Sequence, residues 1–300
     1  MREVIKMDSK NEIKYGMARA NGVRLHYLHA GDENTRTLVL FHGWPQTSHQ
    51  WREVIPMFAA AGYRVIAPDY RGAGNSERPL FGYDKRTMAV DMHCLLHDVL
   101  KITEPKIIVG HDLGGQLSYA YASSYPEDVI WFSCGEAPLP GTQVHEEMKF
   151  DKSLFHFLFH SIQDLPEKLT EGREHWYLQH FYDKLGYQPR KVDTETFAKS
   201  FAEPGAMRAG FELYRAFDQD AEDNLAALKR DGKLKMPCLA LHGGVSLFTA
   251  VTDRMVKEFC EDVTTMGVPE AGHWFSEENP EGFVKIITDF DEQVKAKLGK

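Results

Sequence analysis

An aspartate stands at the centre of a glycine-rich turn within Ile107–Ala120, IIVGHDLGGQLSYA. The segment predicts a strand that enters a tight turn and then a helix, and Gly110, Gly114 and Gly115 supply the small residues that a strained turn requires. Turns of the pattern Gly-x-Ser-x-Gly present a nucleophilic serine, so the same turn with Asp112 predicts a nucleophilic carboxylate. The motif alone leaves a second interpretation open, in which Asp112 caps the following helix through its backbone amides.

A carboxylate nucleophile allows chemistry that a serine does not. Aspartate has a reference pKa of about 3.9, so it is ionised at neutral pH without help from a base. It can attack an sp³ carbon and form an alkyl ester, whereas serine would form an ether that water does not readily cleave. Hydrolysis of the ester requires an activated water, and His273 in EAGHWF, Glu270–Phe275, is the candidate base.

The elements that must position these residues alternate along the chain. Short β-rich runs alternate with helical patterns from about Val23 to Glu136 and again from about Met236, which predicts an α/β fold with a mostly parallel sheet flanked by helices. The middle of the chain has aromatic residues at helical spacing and no strand pattern. We therefore expect a core of residues 1–138 and 231–300 with an inserted helical lid, residues 139–230. The strand candidates are VRLHYLHAG, TLVLFHGW, YRVIAPDY, KIIVGHD, VIWFSCGEAP, MPCLALHGG and DVTTMGV.

Three motifs in this order resemble one enzyme family. They are FHGWP at Phe41–Pro45, GHDLGG around Asp112, and the GHW that contains His273. Over nearly its whole length the sequence resembles the epoxide hydrolase and haloalkane dehalogenase branch of the α/β-hydrolase superfamily. The resemblance implies the α/β-hydrolase fold, an oxyanion bound by the backbone N–H groups of Trp44 and Leu113, and a cis peptide bond before Pro45.

Two carboxylates compete to orient His273. Glu136 follows the VIWFSCG strand, whereas Asp253 lies in the helix after LALHGG, where other members of the family carry their acid. At about 100° per residue, Asp253 should point away from the buried side of that helix, so we predict Glu136 as the partner of the histidine. The apolar residues that mark this buried side are Leu247, Val251, Met255 and Phe259.

The resemblance also implies two proton donors in the lid. Tyr214 in FELYRAF matches the usual lid tyrosine, and His156 in SLFHFLFHS matches the second donor of a bacterial epoxide hydrolase subgroup with a histidine–tyrosine pair. Tyr177 or His160 could take the place of His156, because the lid segment aligns only to within a residue or so. The helical spacing of Tyr214 with neighbouring phenylalanines would equally suit a packed interior. We also expect Trp44 and Tyr177 to contact the substrate.

The predicted activity is conversion of an apolar epoxide to a vicinal diol through an ester on Asp112. A haloalkane or haloacid dehalogenase with the same triad is one alternative. Haloalkane dehalogenases of this branch usually carry tryptophan where this chain has Leu113, and fluoroacetate dehalogenases carry arginines at the positions of Leu113 and Gln116. A ligand receptor without catalytic activity is another alternative, because the fold alone does not decide function.

Composition narrows the range of partners. The formal net charge is -9 and no basic patch is evident, which argues against nucleic acid as a partner. No apolar run reaches the roughly 18 residues of a membrane span, and the first 16 residues lack the apolar stretch of a signal peptide. We therefore expect a cytoplasmic enzyme with unpaired cysteines that acts on a small apolar epoxide and water. A homodimer is one option for its assembly.

No cofactor is expected, because the predicted chemistry needs none. Two histidine pairs, His93 with His97 and His156 with His160, have the spacing of metal ligands on a helix. Neither forms the pattern H-E-x-x-H, and no third ligand stands out, so we expect no metal site. The physiological epoxide, its chirality and the regioselectivity of attack depend on lid geometry that the sequence does not reveal.

Overall fold

An eight-stranded sheet forms the centre of the protein in a computed structural model, which describes residues 11–299. The strands are β1 (Lys14–Ala20), β2 (Val23–Ala30), β3 (Arg36–Phe41), β4 (Tyr63–Pro68), β5 (Lys106–Gly110), β6 (Val129–Cys134), β7 (Cys238–Gly243) and β8 (Val263–Val268). They lie in the order β1-β2-β4-β3-β5-β6-β7-β8. β2 pairs antiparallel with β1 and β4, and every other neighbouring pair is parallel.

Helices connect the strands and cover the sheet. A π-helical segment, Cys94–Val99, continues α2, and single 3₁₀ turns occur at Ser48–Trp51, Pro126–Asp128, Lys152–Leu154 and Pro189–Lys191. The α-helices are α1 (Val54–Ala60), α2 (Lys85–His93), α3 (Leu113–Ser124), α4 (Gln143–Met148), α5 (Phe155–Ser161), α6 (Leu165–Thr170), α7 (Glu174–Leu185), α8 (Thr194–Ala202), α9 (Ala206–Arg215), α10 (Phe217–Asp231), α11 (Thr252–Phe259), α12 (Phe275–Glu278) and α13 (Pro280–Leu298).

The central strands of the sheet are buried on both faces. Along β3, Leu38 and Leu40 join one apolar cluster while Val39 and Phe41 join the other, as the alternation of side chains along a strand requires. Helices α1 and α13 pack on the first cluster, and α2, α3 and α11 pack on the second. Burial on both faces is typical of parallel sheets and explains why these strands are almost continuously apolar.

The segment between β6 and β7 is helical. It contains α4 to α10 within residues 143–231 and forms no strand there; we call these seven helices the helical insertion. It is tied to the core by buried polar contacts: Lys85 pairs with Asp220 at 2.7 Å, and the Tyr182 hydroxyl donates to the Pro45 carbonyl at 2.6 Å. The insertion therefore packs over the loops that follow β3 and β5.

The structure confirms the predicted fold class and all seven strand candidates. It adds β1, which sequence analysis missed because most of its residues are exposed and Gly16 interrupts the pattern. None of the helices in residues 11–299 is long and apolar enough to cross a membrane. Most of the N-terminal segment, in which we expect no signal peptide, lies outside the described residues.

Candidate active site

The turn between β5 and α3 holds Asp112 in a strained conformation. Its backbone adopts φ 56° and ψ -123°, a combination that few residues with a Cβ accept. A Cβ on Gly110 would lie 2.1 Å from the Gly114 carbonyl oxygen, and one on Gly114 would lie 2.1 Å from that of Phe41. The Asp112 side chain makes no capping hydrogen bond to α3, so the interpretation of Asp112 as a helix cap is wrong.

The two carboxylate oxygens of Asp112 have different surroundings. Oδ1 accepts a hydrogen bond from the backbone N–H of Trp44 at 2.9 Å, whereas Oδ2 lies 3.8 Å from Nε2 of His273. The backbone N–H of Leu113 also stabilises the charged carboxylate. The Trp44–Pro45 bond is cis, as the family resemblance implies. Oδ1 thus faces the Trp44 N–H, and Oδ2 is the oxygen on the histidine side.

A buried carboxylate orients His273. Nδ1 of His273 lies 2.7 Å from Oε2 of Glu136, and both side chains are almost completely buried. The same Glu136 accepts from the Gly243 N–H and the Ser246 hydroxyl, each at 2.7 Å. With Nδ1 directed at Glu136, Nε2 is the nitrogen that faces Asp112 and the cavity. The three side chains have the relative placement that a nucleophile, a histidine base and an orienting acid would require.

Asp253 takes no part in this arrangement. Its half-exposed carboxylate accepts from the Thr265 hydroxyl at 2.6 Å and from the Lys257 ammonium at 2.9 Å, on the outer side of α11. The orientation predicted from helical spacing is therefore correct. One part of that prediction is wrong, because Leu247 lies before the helix and is 46% exposed.

Burial and charge shift the pKa values of the pair. Burial raises the pKa of Asp112 to about 6, although the charge of His273 and the two backbone donors oppose the rise. For His273, burial favours the neutral form, but the hydrogen bond and charge of Glu136, together with the charge of Asp112, outweigh it and raise the pKa. Asp112 thus titrates closer to neutral pH than an isolated aspartate does.

A small cavity lies above Asp112, between the core and the helical insertion. Its volume is about 10 Å³. That is room for about one water, so a substrate needs side chains or helices to move apart before it enters. The lining residues are Trp44, Pro45, Asp112, Ala137, Leu154, His156, Phe157, Phe181, Leu185, Tyr214, Phe248, His273 and Trp274.

Tyr214 and His156 line this cavity from the helical insertion. Both are more than 90% buried, and their rings contact each other edge to face with centroids 5.5 Å apart. Burial and the charge of Asp112 raise the pKa of Tyr214 well above its usual range, so its hydroxyl stays protonated. Burial and the charge of His273 lower the pKa of His156 to about 3, so its imidazole is neutral. Each can offer one hydrogen-bond donor to the cavity.

Of the two residues that the sequence predicts to contact substrate, one lines the cavity and the other does not. Trp44 lines the cavity, and its indole meets the Tyr214 ring edge to face. Tyr177 does not line the cavity; it lies behind the wall, where its hydroxyl is 2.6 Å from Nε2 of His160. The structure thus gives no support to the predicted contact of Tyr177 with substrate, which stays a prediction. His160, the alternative to His156, is fully buried beside Tyr177 and also lies behind the wall.

Comparison with known proteins identifies the family of this chain. A profile of the alpha/beta hydrolase fold matches residues 36–280. The chain belongs to the α/β-hydrolase family. It is 34% identical over 289 residues to the soluble epoxide hydrolase of Corynebacterium sp. strain C12, with 93% of this chain and 97% of that protein covered.

Solved structures of epoxide hydrolases are also similar to this chain. The α/β hydrolase described above is similar to the epoxide hydrolase CorEH, with 30% identity and a TM-score of 0.83 over 96% of this chain and 100% of that chain. It is also similar to the Cif epoxide hydrolase from Acinetobacter nosocomialis, with 25% identity and a TM-score of 0.83 over 93% of this chain and 88% of that chain. The protein is an epoxide hydrolase-like α/β hydrolase, as its three motifs predict.

Several residues of this hydrolase's cavity were missed by sequence analysis. Phe181 and Leu185 come from α7, Phe248 from the loop before α11, and Trp274 follows the histidine. Trp274 stands next to His273 within the GHW motif, so the sequence could have predicted that it lies near the site. The other three carry no local signal, because an apolar side chain that lines a cavity has the same spacing as one that packs in a core.

The histidine pairs with the spacing of metal ligands make other contacts in the structure. Among residues 11–299, the structure contains no group of three or more His, Cys, Asp or Glu side chains that could hold a metal ion. His93 and His97 stack on each other at 5.1 Å, with Nδ1 of His93 3.1 Å from Asp128 and Nδ1 of His97 3.1 Å from Asp98. These two histidines are thus engaged in contacts on the surface of the core.

Proposed function

We propose that this hydrolase converts an apolar epoxide to a vicinal diol through an ester on Asp112. The observation that carries the proposal is the cavity that the Asp112 carboxylate shares with two hydrogen-bond donors of the lid, Tyr214 and His156. Opening an epoxide creates an alkoxide, which is a poor leaving group unless a donor neutralises it, so a donor pair opposite the nucleophile suits this reaction. The names of the relatives support the same substrate class.

The first step is attack by Oδ2 of Asp112 on the less hindered carbon of the ring. The C–O bond of the epoxide breaks, and the oxygen takes a proton from Tyr214 with a hydrogen bond from His156. The raised pKa of Tyr214 keeps the donor protonated until the alkoxide forms. The product of this step is a hydroxyalkyl ester on Asp112, with all atoms of the epoxide retained.

The second step is hydrolysis of that ester. Nε2 of His273 removes a proton from a water molecule that attacks the ester carbonyl carbon, and Glu136 stabilises the imidazolium that results. The tetrahedral intermediate carries its negative charge on Oδ1, where the N–H groups of Trp44 and Leu113 bind it. Collapse of the intermediate releases the diol, which takes the proton from His273. The proton that remains on the Asp112 carboxyl group returns to the Tyr214 phenolate, which restores the carboxylate and the tyrosine hydroxyl.

A dehalogenase has less support from this cavity. Halide release needs donors beside the nucleophile, and the residue directly after Asp112 is Leu113, which has none on its side chain. The carboxylate clamp of a haloacid enzyme would require a cation at Gln116, whose buried side-chain amide instead donates to the Pro138 carbonyl at 2.9 Å. Of the two indoles that line the cavity, Trp274 donates its N–H to the Tyr182 carbonyl at 3.2 Å, and Trp44 packs against the aromatic wall.

Three further points are part of the proposal. Residues 139–230 act as a lid that must shift to admit substrate, because the cavity in its present form holds about one water. We propose that the enzyme acts in the cytoplasm without a cofactor. Gel filtration with light scattering would determine whether it is a monomer or a homodimer.

Product analysis on matched epoxide and haloalkane panels tests the reaction class. Wild-type protein should form diol from apolar epoxides, Asp112→Asn should not, and Asp253→Asn, a surface carboxylate variant, should behave as wild type. Halide release without diol would identify a dehalogenase and would contradict the roles of Tyr214 and His156. Saturable epoxide binding with no product would favour a receptor.

A further inference from the structure

A second buried carboxylate lies beside the histidine, and the chemistry above does not use it. Glu278, at the end of α12, is fully buried and accepts hydrogen bonds from four backbone N–H groups. Two belong to the residues on either side of His273: Gly272, at 3.0 Å from Oε2, and Trp274, at 3.0 Å from Oε1. The other two are in the helical insertion: Tyr187 and Gln188, at 2.9 and 2.8 Å from Oε2.

The two backbone segments that Glu278 joins are in direct contact. The His273 N–H donates to the carbonyl of Leu185 at 3.0 Å, so the insertion also binds the backbone of the base itself. A Cβ on Gly272 would lie 2.6 Å from the backbone nitrogen of Tyr187, which leaves no room for a side chain at that position. The loop that carries the base and the turn at residues 185–188 therefore form one packed unit.

We propose that Glu278 is a positioning residue that binds the loop around His273 to the turn at residues 185–188 of the insertion. Glu278 can keep His273 at its correct distance from Asp112 only while the insertion is packed on the core. The two side-chain oxygens of Glu278 accept N–H groups of both segments, so one side chain binds the two segments at one point. Closure of the lid over the substrate would then fix the base for the hydrolytic step. This inference rests on the proposed epoxide hydrolysis.

Replacement of Glu278 should slow ester hydrolysis and leave the rate of ester formation nearly unchanged. Attack by Asp112 requires the elbow and the lid donors, neither of which Glu278 touches, whereas ester hydrolysis requires Nε2 of His273 at its correct distance. In Glu278→Gln, one carboxylate oxygen becomes an NH₂ group that faces backbone N–H donors, so at least one donor loses its acceptor. A displacement of about 1 Å at a catalytic group slows a step by up to about 100-fold.

Single-turnover kinetics measures the two steps separately. With a styrene-oxide-type epoxide, Glu278→Gln should form the ester at a rate within about threefold of wild type and hydrolyse it about 10- to 100-fold more slowly. Partial misfolding would instead lower the amount of ester formed and leave both rate constants unchanged. The control is Asp291→Asn, because Asp291 is also a buried carboxylate, bound by Arg36, Trp131 and Tyr63 away from the site.

Two measurements keep the test decisive. If Glu278→Gln does not fold, Glu278→Asp retains the charge but shortens its reach, and it should show the same selective loss to a smaller degree. Amide hydrogen exchange should show faster exchange at Gly272, Trp274, Tyr187 and Gln188 together in either variant. This exchange result stands even if no epoxide reacts, so it separates failure of the inference from failure of the proposed function. Equal slowing of both steps, or unchanged ester hydrolysis, would overturn the inference.

Discussion

Glu136 and His273 are 137 residues apart in the chain, yet Oε2 of Glu136 lies 2.7 Å from Nδ1 of His273. The contact joins the carboxyl end of β6 to the loop after β8. The glutamate is itself fixed by the Gly243 N–H and the Ser246 hydroxyl, so its position does not depend on the histidine. The orientation of the base is therefore set by a carboxylate that is already anchored in the core.

Removing the charge of Glu136 should slow ester hydrolysis and spare ester formation. In Glu136→Gln the amide no longer stabilises the imidazolium and favours the wrong tautomer, so we expect hydrolysis to slow by roughly 100- to 10,000-fold. Single-turnover kinetics with acid quench measures both steps. Asp253→Asn is the control and should leave both rates unchanged. The reverse ranking would show that Asp253 is the functional acid.

Ester formation should decline as the pH falls below about 6. The pKa of Asp112 is raised above that of a free aspartate, to about 6, and only the ionised carboxylate attacks. At one pH unit below that value roughly a tenth of the enzyme is reactive. The pH dependence of kcat/KM measures this, since it reports the free enzyme. A rate that stays constant down to pH 4 would contradict the raised pKa.

A histidine variant gives a second test of this pKa. The charge of His273 lowers the pKa of Asp112, so His273→Gln should shift the acid limb of ester formation to higher pH. The burst of ester formation, measured across pH, is the observable. A shift to lower pH would mean that the two groups do not interact as the structure indicates.

The hydroxyl of Tyr214 should matter far more than that of Tyr177. Tyr214→Phe removes the donor to the epoxide oxygen, and we expect ring opening to slow by roughly 100-fold or more, as is typical for loss of a general acid. Tyr177→Phe removes a hydroxyl that contacts His160 behind the cavity wall, and its effect should be only a few-fold. Equal losses in both variants would indicate that lid packing, and not proton donation, explains the effect of Tyr214.

The elbow glycines should differ in their tolerance of a methyl group. A Cβ on Gly114 would lie 2.1 Å from the backbone oxygen of Phe41, whereas one on Gly115 would meet nothing nearer than backbone atoms of Gly135 at 3.1 Å. Overpacking of this kind typically costs 1–3 kcal/mol, so Gly114→Ala should lower the free energy of unfolding by about 2 kcal/mol or more. Gly115→Ala should lower it less. Urea denaturation of both variants measures the difference.

The sequence predicted the parts of the site that carry a local signature. Asp112 stands between a buried strand and glycines, and His273 stands in a short motif after the last strand, so each is visible without the fold. Glu136 could be chosen over Asp253 because helical spacing directs Asp253 to the surface, where the structure has it. These predictions depend only on neighbouring residues.

Features that depend on contacts between distant segments were not predictable. Tyr177 and His156 both lie on aromatic helices of the insertion, but packing alone decides that His156 lines the cavity while Tyr177 lies behind it. Strand β1 was missed because an exposed edge strand has little apolar pattern. Glu278 follows the GHW motif, yet its four donors come from two segments far apart in sequence.

The mass of a trapped intermediate tests the central claim most directly. His273→Gln should form the ester on Asp112 but not hydrolyse it, so incubation with an epoxide should increase the protein mass by the full mass of that epoxide. Peptide mapping should locate the added mass on the peptide that contains Asp112. A haloalkane ester would instead lack the mass of the departed hydrogen halide. An unchanged protein mass, or an adduct on a peptide without Asp112, would contradict the account.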